Sequence, residues 1–358
     1  MGGGAVVTGA ASAYLAWQAG AGLARVAAAA LASWAAARTL RVTGAVLALA
    51  TAGLACHASL VRAGRTARLV CRLDGRVTRL LAVCPALAQP CYVPTFWAAN
   101  RWTNLALHVF KQIYDKSSLR SNRFQRELLT MPDGGCVSVD FAPADHLPHD
   151  APFVIFLHTI TGSPLEVGHY TRAATARGWR SAVFTRRGHG GLRLATPRFS
   201  VLGDPADTRT QVEFVRSRHP HSFLAMVGVS AGSGLLFSYL GREADTTPVQ
   251  AAVALCPAYD IRRAFRLAVN HPSMDQHILA SMKRLFIQPN KEILCSKSPQ
   301  NFSDCSTAKT VHEFIKLHSS FAGYDSPEEY YAESNPVHWI PQVRKAYCRP
   351  RSSYSLNL

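Results

Sequence analysis

Leu224-Ala225-Met226-Val227-Gly228-Val229-Ser230-Ala231-Gly232-Ser233-Gly234-Leu235-Leu236 is the stretch that decides how this chain is read. An apolar run, as in a strand covered on both faces, enters the turn Gly228-Val229-Ser230-Ala231-Gly232. Beyond it, Leu235, Leu236, Phe237, Tyr239 and Leu240 form a helical apolar stripe. A serine between glycines on a sharp strand-to-helix turn is the nucleophile-elbow arrangement. The glycines let helix and strand approach closely, and the turn pushes the hydroxyl outward. The helix start adds unpaired N–H groups and the positive end of a dipole. Gly-x-Ser-x-Gly alone arises by chance in many proteins. The strand before it and the helix after it make Ser230 the candidate nucleophile.

The surroundings alternate. Residues 124–130 and 136–141 flank Met131-Pro132-Asp133-Gly134-Gly135, a hairpin signal. Residues 153–157, 180–184 and 250–256 read as further buried strands, and 165–177, 205–218 and 230–241 as helices. Such alternation predicts a mostly parallel α/β sheet with helices on both faces. Ligands of these sheets bind beyond the carboxyl ends of the strands. Three loops leave those ends: 158–162, 186–190 and the turn at Ser230. In the first, the backbone N–H groups of Thr159 and Ile160 are the candidates to join that of Ala231 as oxyanion donors, each worth roughly 2.7–4 kcal/mol in a working site. His158 and Gly162 shape this loop. For His158, as for His189, loop scaffolding is the preferred role over proton transfer.

The 358 residues carry 39 Lys+Arg against 22 Asp+Glu, a formal charge of +17. Residues 1–104 hold ten arginines, no lysine and one acid, Asp74, so 10 − 1 = +9 sits there. That segment is rich in Ala, Gly, Leu and Val, which favours a membrane surface over nucleic acid as its partner. No basic–aromatic interleaving of a nucleic-acid binder is present. The uncharged run 42–61 is the transmembrane candidate, preceded by an apolar segment over 1–41. An arginine-rich targeting leader is the other reading. Arg62, Arg65, Arg68, Arg72, Arg76 and Arg79 recur every three or four residues, which predicts one helical face that is either a basic amphipathic surface for an anionic membrane or an ordinary solvated one. Its anionic-surface contact would place that side in the cytoplasm. Residues 84–92 read as a linker that closes the segment 62–93. The nine cysteines show no metal-ligand spacing, and only Cys295 and Cys305 suggest a pair in an oxidising compartment.

Tyr92-Val93-Pro94-Thr95-Phe96-Trp97, the His158 loop, Phe184-Thr185-Arg186-Arg187-Gly188-His189-Gly190, Thr196-Pro197-Arg198-Phe199 and Gly228–Gly232 occur in that order. Together with Ala308-Lys309-Thr310-Val311-His312-Glu313-Phe314 and Gly323-Tyr324, the set resembles the membrane-anchored α/β-hydrolase-domain lipases and YheT-type esterases. The resemblance implies an α/β-hydrolase domain over 94–340 with a lid region at about 261–332. It also implies a cofactor-free, metal-free serine hydrolase acting on lipid or carboxylic esters. A single-pass membrane location follows, at the endoplasmic reticulum or plasma membrane. The catalytic domain of such relatives often lies on the non-cytoplasmic side, against the arginine count above.

Two departures stand out. Thr159 occupies a position that is usually glycine in the family. Beyond Ile340, residues 341–358 form a basic, proline-broken tail in which the family's last strands, with the triad acid and base, are not recognisable. Asp260 reads equally as a helix N-cap, and His271, His277, His312, His318 and His338 fall in the lid region. The alternative expectation is therefore a truncated, non-catalytic membrane protein with a binding or regulatory role. Truncation would leave strand 250–256 as an unpaired apolar edge.

Overall fold

The computed structural model describes residues 23–62, 65–66, 68–70, 75–84, 91–92, 103, 106–107, 110, 124–268, 271–343 and 349–351. One compact unit runs from His108 to Tyr347, and residues 1–107 with 348–358 form a second. The expected domain start near Pro94 lies outside the described residues.

In the larger unit the turn chemistry of residues 131–135 closes a hairpin between β1 (Gln125–Thr130) and β2 (Cys136–Phe141). Gly134 takes φ 76°, its N–H donates to the Met131 carbonyl (2.9 Å), and Met131 N–H donates to the Gly135 carbonyl (2.7 Å). Four parallel strands follow: β3 (Phe153–Leu157), β4 (Arg180–Thr185), β5 (Leu224–Val229) and β6 (Ala251–Leu255). The spatial order is β1-β2-β4-β3-β5-β6, with β2 antiparallel to both β1 and β4. Helices α1 (Gly168–Thr175), α2 (Pro205–Arg218) and α3 (Ala231–Glu243) connect the parallel strands. β3 is buried on both faces, Ile155 and Leu157 against α2 and α3, and Val154 and Phe156 on the side of Val167. That two-sided cover is why its sequence is continuously apolar.

β6 departs from the expected buried strand. Its residues 251–253 are exposed, Val253 by 51%. It pairs with β5 on one side only and is the sheet's edge among the described residues, so its outer side is uncovered.

From Ile261–Ala268 to Pro327–Ser334 the chain forms short helices. Ser298, Thr310 and Ser326 cap three of them by accepting from the N–H groups of Asn301, Glu313 and Glu329. They enclose a second core around Phe199, Phe286, Phe314, Phe321 and Tyr330. Leu279, Met282 and Phe286, at helical spacing in the expected lid, are buried in it and serve packing. Cys295 and Cys305 are both free.

The smaller unit has a 40-residue helix, Leu23–Arg62. Its stretch Ala27–Cys56, 30 residues, is long and apolar enough to cross a membrane and contains most of the expected run 42–61. The single basic helix expected over residues 62–79 is not formed. Arg65–Thr66 pairs with Cys91–Tyr92, Arg68–Val70 pairs with Arg349–Arg351, and a new helix starts only at Gly75. Ladder bonds replace i→i−4 bonds where Arg65, Thr66, Arg68, Leu69 and Val70 lie, so the arginines do not share one helical face. The remainder of that segment, including Arg72, lies outside the described residues.

Candidate active site

The parallel register pairs Leu157 of β3 with Gly228 of β5, so the loop after β3 and the turn after β5 leave the same sheet edge side by side. Ser230 takes φ 53° and ψ −115°, a conformation that costs a non-glycine residue about 1–3 kcal/mol and that persists only where its surroundings enforce it. Those surroundings are specific. Ser230 N–H donates to the Leu255 carbonyl of β6 (2.9 Å), and Ser233 Oγ donates to the Gly228 carbonyl (2.7 Å). A Cβ at Gly228 would stand 2.5 Å from the Gly232 carbonyl oxygen. A Cβ at Gly232 would run into the Leu157 carbonyl and come within 2.8 Å of the His158 carbonyl oxygen. The two glycines are thus the condition for α3 to start directly against the 158–162 loop. Ala231, first residue of α3, keeps its N–H without a protein partner among the described residues, and so does the Ser230 hydroxyl.

The loop itself is a turn in which Gly162 N–H donates to the Thr159 carbonyl (3.2 Å). Thr159 Oγ1 donates to the Glu166 carboxylate (2.8 and 2.9 Å to its two oxygens), which fixes that side chain. The carbonyls of Thr159 and Ile160 are held from beneath. Arg186 Nη2 donates to the Thr159 oxygen at 2.5 Å, and His189 Nε2 lies 3.0 Å from the Ile160 oxygen. The N–H groups of Ile160 and Thr161 have no partner among the described residues.

His158 is buried, with Nδ1 2.9 Å from the Thr159 carbonyl and 3.3 Å from Arg186, while Nε2 has no partner. Burial first, then the Arg186 and His189 charges, push its pKa well below the ordinary histidine value. His189 is held down to about 3 by burial and then by Arg186. Both rings are therefore neutral at neutral pH.

Other candidates fall away. Asp260 Oδ1 accepts from Arg263 N–H and from Asn335 Nδ2 (3.1 Å each), which makes it the cap of Ile261–Ala268. His318 is buried among Phe199, Phe314 and Tyr330 with Nδ1 2.7 Å from the Ile315 carbonyl. His312 meets the Tyr331 hydroxyl at 3.4 Å, and His271, His277 and His338 are exposed. None of these rings hydrogen-bonds Ser230 among the described residues. Among the same residues no group of three or more His, Cys, Asp or Glu is placed to hold a metal.

Arg186 and Glu166 were not singled out by the sequence as site residues. Arg186 carried one signal, a charge placed immediately after a buried strand at its carboxyl end.

The six-strand order and the elbow after β5 give the chain the α/β-hydrolase fold. Residues 148–320 match the family model described as serine aminopeptidase, S33. The chain is 26% identical to phospholipase ABHD3 of Bos taurus over 271 residues, which is 73% of this chain and 64% of that one. It is 23% identical to monoacylglycerol lipase ABHD2 of Mus musculus over 285 residues, 74% of this chain and 66% of that one. Among solved structures it aligns with the Pyrococcus furiosus esterase Pf2001 at 19% identity and TM-score 0.37, over 47% of this chain and 66% of that one. The chain therefore spans somewhat less than two thirds of the length of the ABHD3 relative.

Proposed function

We propose that this chain is a serine hydrolase of lipid or carboxylic esters, with Ser230 as nucleophile. The observation that carries the reading is the strained backbone of Ser230, enforced by Gly228 and Gly232, with unpartnered N–H groups of Ala231 and Ile160 on the adjoining loop ends. In this mechanism Ser230 Oγ attacks the ester carbonyl carbon. The carbonyl oxygen becomes an oxyanion and accepts from Ala231 and Ile160 N–H, at the positive end of α3. Collapse breaks the ester C–O bond, the Ser230 hydroxyl proton passes to the departing oxygen to give the alcohol, and water then cleaves the acyl-enzyme to the free acid and restores the hydroxyl. His158 and Gly162 keep the donor loop in shape, and Thr159 contributes the peptide that carries the Ile160 N–H. The chemistry calls on no cofactor.

The similarity to a phospholipase and a monoacylglycerol lipase favours acylglycerol or phospholipid esters as the substrate class. The helix Leu23–Arg62 supports a membrane tether, single-pass at the endoplasmic reticulum or plasma membrane. Over 30 residues at about 1.5 Å each, its apolar stretch exceeds the roughly 30 Å hydrocarbon core. The arginines of residues 62–79 suit an anionic headgroup layer beside it. The test is hydrolysis of short-chain monoacylglycerol and phosphatidylcholine by the full chain in mixed micelles, with Ser230→Ala as control. A binding protein that keeps the elbow without turnover would release no fatty acid in either assay.

A further inference from the structure

We propose that Arg186 is a positioning residue for the oxyanion site: its guanidinium grips the Thr159 carbonyl and so turns the Ile160 N–H toward the reacting oxygen. This rests on the reading of Ser230 as the nucleophile. A trans peptide points its C=O and N–H in opposite directions, and the described chain contains no cis bond. The Thr159 oxygen and the Ile160 N–H belong to one such plane. Arg186 Nη2 approaches that oxygen at 2.5 Å, so the Ile160 N–H points away from the buried guanidinium, and it has no partner among the described residues. The next plane repeats the device, since His189 Nε2 stands 3.0 Å from the Ile160 oxygen.

Arg186 is an unusual residue to find there. It is buried, and burial lowers its pKa to about 10. Among the described residues no carboxylate lies within ion-pair distance of it, and the Glu166 charge acts on it only through space. Instead Nη2 meets the Thr159 oxygen, His158 Nδ1 at 3.3 Å and His189 Nε2 at 3.2 Å, while Nη1 reaches the Leu202 carbonyl at 3.4 Å. Burying a cation without a counter-ion is costly. A packing role would be filled at less cost by methionine. An arginine is retained where a donor that never loses its proton must hold an oxygen, and where a fixed positive charge lies behind a developing anion. Either histidine tautomer leaves this donation intact, because the guanidinium has no acceptor form.

The experiment uses the full chain in detergent and an alkyl fluorophosphonate, measuring the maximal labelling rate and the half-saturating probe concentration separately. Arg186→Met is expected to fold, since it removes an unpaired buried charge and leaves Gly162 N–H on the Thr159 oxygen. Its maximal rate should fall about a hundredfold to a thousandfold, the effect of losing one oxyanion donor, with half-saturation within about threefold of wild type. Arg186→Lys, which restores a charged donor, should recover at least about tenfold of that loss. Arg186→Gln takes the place of Arg186→Met if the latter does not fold. A residue that only stabilised the fold would reduce the labelled fraction or the melting temperature and leave the maximal rate unchanged. Labelling of Arg186→Met at the wild-type rate, or of Arg186→Lys no faster than Arg186→Met, overturns the inference. An unlabelled wild type overturns the Ser230 reading and this inference with it.

Discussion

Replacing His318 with phenylalanine should make the protein less sensitive to acid. The ring is fully buried between Phe199, Phe314 and Tyr330, Nδ1 faces the Ile315 carbonyl, and Nε2 has no partner. Burial holds its pKa down to about 4, against 6.5 for a free ring. The folded protein thus binds fewer protons than the unfolded chain between these values. The stability His318 contributes is present above about pH 6.5 and is lost as pH falls toward 4. Between about pH 7.5 and pH 5 that loss comes to roughly 2 kcal/mol for this one group. Phenylalanine forfeits the bond to Ile315 and fits slightly more tightly, but both effects are independent of pH and cancel in the comparison. Urea unfolding of wild type and His318→Phe at the two pH values, extrapolated to water, gives four stabilities. The wild type should lose roughly 2 kcal/mol more than the variant on acidification. Equal losses would refute the argument that a neutral, desolvated ring is what the fold requires at this position.

Other consequences are open to direct measurement. Gly232→Ala places a Cβ against the Leu157 and His158 carbonyls, neither of which can move without shifting β3 or the donor loop. It should cost about 3 kcal/mol in urea unfolding. Arg187 bridges Asp207 (2.7 Å from both Nε and Nη2) and Asp133 (2.5 Å). Arg187→Met leaves the buried Asp207 carboxylate unpaired, so a loss of about 3–5 kcal/mol is expected by the same assay. Val253→Lys, on the uncovered edge strand β6, should raise the temperature at which light scattering begins and leave the unfolding free energy within about 0.5 kcal/mol of wild type.

Much of the sheet could be read from the chain because its signals are local. The β1–β2 turn, the apolar β3 and β5, and the helix Pro205–Arg218, with Pro205 at its first position and Asp204 capping it, carry their own punctuation. The elbow is local as well: one serine and two glycines set its geometry. What was not legible depends on residues far apart. The arginines of 62–79 have helical spacing, yet Arg68–Val70 pairs with Arg349–Arg351 near the other end of the chain, which no periodicity reveals. Strand 250–256 looks buried because its residues are apolar, but exposure is decided by whether another strand covers it. Arg186 gives no sign of its role in the sequence because a guanidinium turned inward has the same letter as one in water. Only the convergence of Thr159, His189 and Leu202 shows which way it faces.

The central claim is that Ser230 is a reactive, substrate-accessible nucleophile. Incubating the full chain with a fluorophosphonate probe and locating the adduct by peptide mass spectrometry tests it most directly. The account predicts one phosphonate adduct on the peptide containing Ser230 and none in Ser230→Ala. Wild-type protein that stays unlabelled while folded, or an adduct that persists in Ser230→Ala, would contradict it.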